Sequence, residues 1–95
     1  MINLKQIISL INNRKDIFQK YEINSLAVFG SVSRGDNNEL SDVDLLVDFK
    51  KPIGIKFIDL ADELEKILNV KVDLVSKKAL KNKYFEQIKD ELVYV

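Results

Sequence analysis

Asp42 and Asp44 stand one residue apart where a polar loop gives way to the apolar run Val43-Asp44-Leu45-Leu46-Val47-Asp48-Phe49. Side chains alternate faces along a strand, so the two carboxylates project on one side, about 6–7 Å apart at their roots. Val43, Leu45 and Val47 then face the other way, into a core. Two carboxylates at roughly 5 Å and an effective dielectric of about 20 repel by about 3 kcal/mol. One of them takes up a proton unless a cation sits between them, and a divalent ion reverses the sign of the repulsion. A pair of solvated acids on the outer face of an edge strand would carry the same sequence, and Ser41 and Asp42 could simply close the loop by capping its turn.

Gly30-Ser31 bears on that choice. It ends the apolar stretch Ser25-Leu26-Ala27-Val28-Phe29 and opens a short helical turn. Glycine lets backbone approach a ligand closely, amides at a helix start point at anions, and a serine hydroxyl adds a donor. An ordinary strand-to-helix turn reads the same way. If the strands ending at Phe29 and starting at Val43 are antiparallel neighbours, Ser31 lies beside Asp42, and phosphate donors and metal ligands share one place. Asp73 is the only acid in the apolar run Val70-Lys71-Val72-Asp73-Leu74-Val75. With Val72 and Leu74 facing the core, Asp73 faces away from it and is the candidate third carboxylate. Arg34 lies in the loop within reach of a triphosphate, or is a plain surface arginine. Asp48 shares the face of Asp42 and Asp44 at the far end of the strand and reads as a solvent residue.

The elements that must position these groups follow from the spacing of apolar residues. Leu4, Ile7, Ile8, Leu10, Ile11, Ile17 and Phe18 recur at helical intervals and predict a helix over about 4–20, capped by Asn3 and weakened near Asn12-Asn13. Strands are predicted over 25–29, 43–49 and 70–75, with a helical turn at 32–34 and a loop at 35–38. A helix spans about 55–68, with Phe57, Ile58, Leu60, Ala61, Leu64, Ile67 and Leu68 on its inner side. Ser76 caps a last helix over about 77–91, and Leu92-Val93-Tyr94-Val95 forms a possible edge strand. The order α-β-(α)-β-α-β-α-(β) predicts one α/β domain over residues 1–95: a small mixed sheet of three main strands and a possible fourth, flanked by helices.

Composition narrows the chemistry. The 95 residues contain no cysteine and no histidine, and 15 basic residues balance 15 acidic ones. Disulfides and thiolate metal sites are excluded, and the commonest general base and transition-metal ligand are missing. A metal here must be held by oxygen, which suits a hard cation such as Mg²⁺. Zero net charge gives no support for general capture of nucleic acid, so direct nucleic-acid binding is not expected. No apolar run is long enough for a bilayer and the first residues do not resemble a secretory signal, so a soluble cytoplasmic protein is expected.

Gly30-Ser31, ten intervening residues, Asp42-x-Asp44 and the later Asp73 resemble the signature of the DNA polymerase β-type nucleotidyltransferase superfamily. The fuller text FGSVSRGDNNELSDVDLLVDF resembles the minimal nucleotidyltransferases, the MNT or MntA-like antitoxins, and the likeness runs from the first helix to the closing ELVYV. Val32-Ser33 depart slightly from the small or basic residues common there. The resemblance implies transfer of AMP from ATP to a hydroxyl with release of pyrophosphate. Asp42 and Asp44 would hold two Mg²⁺ ions, Asp73 would complete the site of the catalytic one, and Gly30 and Ser31 would grip the β- and γ-phosphates. It implies the antitoxin of a type VII toxin-antitoxin pair, with a tyrosine of a HEPN-family, HepT-like toxin as acceptor, because no further domain is present to hold a primer or RNA. A catalytically silent toxin-binding module and adenylylation of a small-molecule hydroxyl are the alternatives. Ile2, Leu4, Ile8, Ile11 and Phe18, or Tyr84, Phe85 and residues 92–95, could form a docking patch, with ordinary core as the preferred reading. The lysines at 77, 78, 81 and 83 read as a solvated helix face that could steer an acidic partner.

Overall fold

The computed structural model describes residues 1–95. The chain begins with α1 (Leu4–Asn12) and α2 (Asp16–Lys20), then β1 (Ile23–Phe29), α3 (Gly30–Arg34), β2 (Val43–Phe49), α4 (Lys56–Leu68) and β3 (Val72–Ser76). A 3₁₀ turn (Lys77–Ala79), α5 (Asn82–Ile88), a second 3₁₀ turn (Lys89–Glu91) and β4 (Val93–Tyr94) complete it. The sheet order is β3-β2-β1-β4. β1 runs antiparallel to both β2 and β4, while β2 and β3 are parallel and joined through α4, the crossover that a parallel pair requires.

One face of this sheet is closed. Val28, Val43, Leu45 and Val47 are inaccessible to solvent and pack with Ile7, Ile11, Ile17, Leu60 and Leu64 from the helices. Val43, Leu45 and Val47 therefore face this core as expected, while Leu46 is buried on the opposite face of β2. Most of the apolar residues of the first helices belong to that core as well: Ile11 and Ile17 are buried and Ile2, Leu4 and Phe18 pack against it. Exposed apolar side chains are Met1 and Leu10 at the N-terminal end, and Leu40, Ile55, Ile58, Tyr84 and Tyr94 elsewhere; Ile58 thus lies outside the inner side of its helix. No helix is long and apolar enough to cross a membrane.

Two predicted helices are interrupted. The first divides into α1 and α2 at residues 13–15, where the Arg14 amide bonds back to Ile11 O at 2.9 Å and the chain turns. Asparagines 12 and 13 are poor helix formers and sit at the break. The Asn3 cap does form: Asn3 Oδ1 accepts from the Gln6 amide and Gln6 Oε1 from the Asn3 amide, both at 2.9 Å. The last helix, expected from 77 to 91 behind a Ser76 cap, shrinks to α5 between two 3₁₀ turns, and Ser76 makes no capping bond. Four lysines in its expected opening turns oppose the helix dipole there.

Candidate active site

The other face of the sheet carries the acids, beside the buried pair Ala27 and Leu46. Phe29 pairs with Asp44 across the antiparallel ladder, and Asp44 pairs with Asp73 across the parallel one. Residues in register share a face, so Asp44 and Asp73 emerge side by side from neighbouring strands. Gly30 follows Phe29 and begins α3 at the same level. Ser31 is half-buried on that turn, Asp42 is exposed at the mouth of β2, and Asp73 is exposed on β3. Asp48 lies at the far end of β2 and accepts a bond from Asn24 Nδ2 at 3.1 Å.

Gly30 is required for a steric reason. Its φ is +76°, and a Cβ built on it would lie 2.1 Å from Asp44 Oδ2. The backbone of α3 thus approaches the Asp44 carboxylate more closely than any side chain permits. Gly35 also has a positive φ, +80°, but meets nothing within 4 Å. It only turns the chain at the end of α3.

Asp44 is held in an anionic surrounding. Burial first, then the charges of Asp73 and Asp42, a hydrogen bond with Asp73 and the charge of Glu91 push its pKa up to about 6. Burial is the leading cause, and like-charge crowding by the neighbouring carboxylates adds to it. Asp42 acts on Asp44 by charge alone. The three acids do not converge into a preformed metal cage. The donors nevertheless fit a hard divalent ion in chemistry: all are carboxylate oxygens, two stand in register on neighbouring strands, and the third adds its charge from the mouth of β2. The largest groove, about 710 Å³, runs between the start of α1 and the end of α4 at Ile2, Leu10, Leu68 and Val70. It contains none of these acids, and the crowded carboxylates mark the functional face better than its volume does.

Glu91 is the site residue that sequence reasoning does not find. Its carboxylate accepts from the Gly30 amide at 2.8 Å and from Arg34 Nη1 at 3.1 Å, and its main-chain carbonyl accepts from the Ser33 hydroxyl. Arg34 is held on its other side by Asp36, with Nε donating to Oδ2 at 3.1 Å. An acid shortly before the apolar edge strand is the only sequence signal for Glu91, and it is weaker than that of Asp73, which stands alone inside its strand.

The sequence profile of the nucleotidyltransferase domain family matches residues 9–95. The protein adenylyltransferase MntA of Thermococcus cleftensis is 40% identical over 97 residues, covering 100% of this chain and 98% of that one. A solved structure of a chain inferred to be a minimal nucleotidyltransferase superposes with a TM-score of 0.82 at 31% identity, over 97% of this chain and 95% of that one. A structure described as a tri-AMPylated Shewanella oneidensis HEPN toxin in complex with MNT antitoxin shares the fold, with a TM-score of 0.67 at 20% identity over 93% of this chain and 70% of that one. With a family profile that spans nearly the whole chain and relatives matched end to end, the chain belongs to the nucleotidyltransferase family, as a minimal nucleotidyltransferase.

Proposed function

We propose that residues 1–95 act as a single minimal domain that transfers AMP from ATP to a tyrosine hydroxyl of a HEPN-type toxin, and so serve as its antitoxin. The observation that carries this reading is the placing of Asp44 against both Asp73 and the Gly30 backbone, which gathers anionic ligands and the Gly-Ser turn at one level of the sheet. Support also comes from the relatives: one is named a protein adenylyltransferase, and an MNT antitoxin of the same fold is found with an AMPylated HEPN toxin.

Asp42, Asp44 and Asp73 would hold two Mg²⁺ ions, which when bound supply charge neutralisation for the attacking and leaving oxygens of an in-line displacement. Ser31 offers its hydroxyl to the β- and γ-phosphates, the Gly30 turn brings the backbone to them, and Arg34 adds a charged donor. A bond forms between the acceptor oxygen and the α-phosphorus as the α–β bridging bond breaks. Pyrophosphate leaves, and Asp73, exposed beside Asp44, receives the acceptor's proton. Phosphoryl transfer of this kind rests on positioning and electrostatics, so a chain without histidine can perform it.

The test is incubation of the chain with Mg²⁺, labelled ATP and the HEPN-type protein it co-purifies with. Label on a tyrosine of that protein, lost in Asp44→Asn, is the expected result. Neutralisation of the toxin that persists in Asp44→Asn with no label transferred would refute it in favour of a silent binding module.

A further inference from the structure

Glu91 ties together parts of the molecule that are far apart in sequence. Its two carboxylate oxygens are divided between the Gly30 amide and the Arg34 guanidinium, and its carbonyl takes the Ser33 hydroxyl. Three of the five residues of α3 are therefore bonded to one residue of the C-terminal segment. A helix of five residues does not hold its own shape. We propose that Glu91 is a positioning residue of the nucleotide site: it locks the Gly30 turn and aims Arg34 at the phosphates beside Ser31. This rests on the nucleotide-binding role proposed above for Ser31 and Arg34.

Three features make Glu91 a strut. Its backbone is fixed at its own carbonyl by the Ser33 hydroxyl and just after by β4, where Val93 pairs with Val28 and the Val95 amide bonds Leu26 O at 2.9 Å. Its side chain is only 21% exposed. The guanidinium of Arg34 is gripped at two edges, by Asp36 through Nε and Nη2 and by Glu91 through Nη1, which fixes its plane while leaving one N–H on each terminal nitrogen free. An arginine already oriented loses less freedom when it meets a phosphate, and its planar fork gains from being aimed. The opposite role is a plug: the carboxylate would stand where a phosphate oxygen belongs and leave when nucleotide enters. The two roles predict opposite signs.

The experiment uses the full chain with Glu91→Gln and Glu91→Ala, each alone and with Arg34→Ala. Binding of an ATP analogue that cannot be cleaved is measured in Mg²⁺ by calorimetry, KM and kcat by transfer to the co-purified acceptor, and exchange of the Gly30 amide by NMR without nucleotide. Glu91→Gln keeps an acceptor for Gly30 but loses the charge on Arg34. It should bind the analogue about tenfold more weakly and raise KM similarly, with kcat within about twofold. Glu91→Ala should in addition speed Gly30 exchange by about tenfold or more. In the Arg34→Ala background, Glu91→Gln should cost nothing further, a non-additivity that general destabilisation does not give. Binding as tight as wild type, or tighter, in Glu91→Gln overturns the strut, and tighter binding identifies a plug. A wild-type chain that binds no analogue overturns the functional reading itself, a result distinct from equal binding by wild type and variant.

Discussion

Glu63 and Asp44 are both partly buried acids, and they are treated in opposite ways. Glu63, on α4, accepts from the Tyr21 hydroxyl at 2.5 Å, from Arg14 at 2.9 Å and from Lys20 at 3.1 Å. The Tyr21 bond first, then Lys20 and Arg14, hold its carboxyl below the ordinary value against the opposing pull of burial. Asp44 has Asp73, Asp42 and Glu91 for neighbours and is pushed up instead. Glu63 fastens the junction of α1 and α2 to α4, and its charge is satisfied inside the protein. The charge of Asp44 is not, and a group left in that condition is waiting for a partner from outside.

The largest expected effect on this contrast comes from neutralising Asp44. Asp44→Asn should lower AMP transfer by about 10²–10³-fold or more, as when a group stabilising transition-state charge is removed. Thermal unfolding without metal should show the variant at least as stable as wild type, because a repulsion is relieved. Equal activity would mean that the anionic cluster has no catalytic use. The glycines come next. Gly30→Ala combines a strained φ with collision against Asp44 and should cost about 2–5 kcal/mol together with transfer activity. Gly35→Ala, with the same strain and open space, should cost about 1–2 kcal/mol and leave more activity. Denaturant titration of both variants separates the two contributions, and equal losses would remove the close approach as the reason for Gly30.

Glu63→Ala should cost about 1–2 kcal/mol by the same titration while leaving transfer intact, since its network lies in the helical layer. The smallest effect is in pH dependence. Asp44 has a folded pKa above its unfolded value of 3.8, so its favourable contribution is complete below about 4 and is lost as pH rises through about 6. Without metal, the stability of wild type relative to Asp44→Asn should therefore fall by about 1 kcal/mol between pH 4 and 7, allowing for solvent screening. Glu63 works in the other direction: its contribution is present above the ordinary glutamate pKa of 4.5 and is lost as pH falls through its depressed value. Denaturation across pH of wild type, Asp44→Asn and Glu63→Gln should show the two slopes with opposite signs.

Much of this arrangement was legible in the chain because it depends on local alternation. β2 runs from Val43 to Phe49 as its pattern predicts, and Val43, Leu45 and Val47 are buried while Asp44 and Asp73 share the other face. The possible fourth strand exists, pairing Val93 and Tyr94 with β1. What escaped was set by distant contacts. Gly30 reads as a phosphate turn, but its lack of a side chain also makes room for Asp44, which lies on a different strand. Glu91 looks like the end of a helix, yet its partner Gly30 is 61 residues away. The C-terminal helix was overextended for the same reason: apolar spacing continues through residue 92, but Glu91 is drawn toward α3.

The most direct test of the acid cluster as a cation site is calorimetric titration of Mg²⁺ into the chain at pH 6 with an uncleavable ATP analogue present, after subtracting the heat and proton release of Mg²⁺ binding to the analogue alone. Wild type should bind with release of a fraction of a proton per chain, since the Asp44 carboxyl, pushed up to about 6, gives up its proton to the cation. Asp44→Asn should lose both the binding and the release. Equal Mg²⁺ binding by the two, with no difference in proton release, would contradict the account.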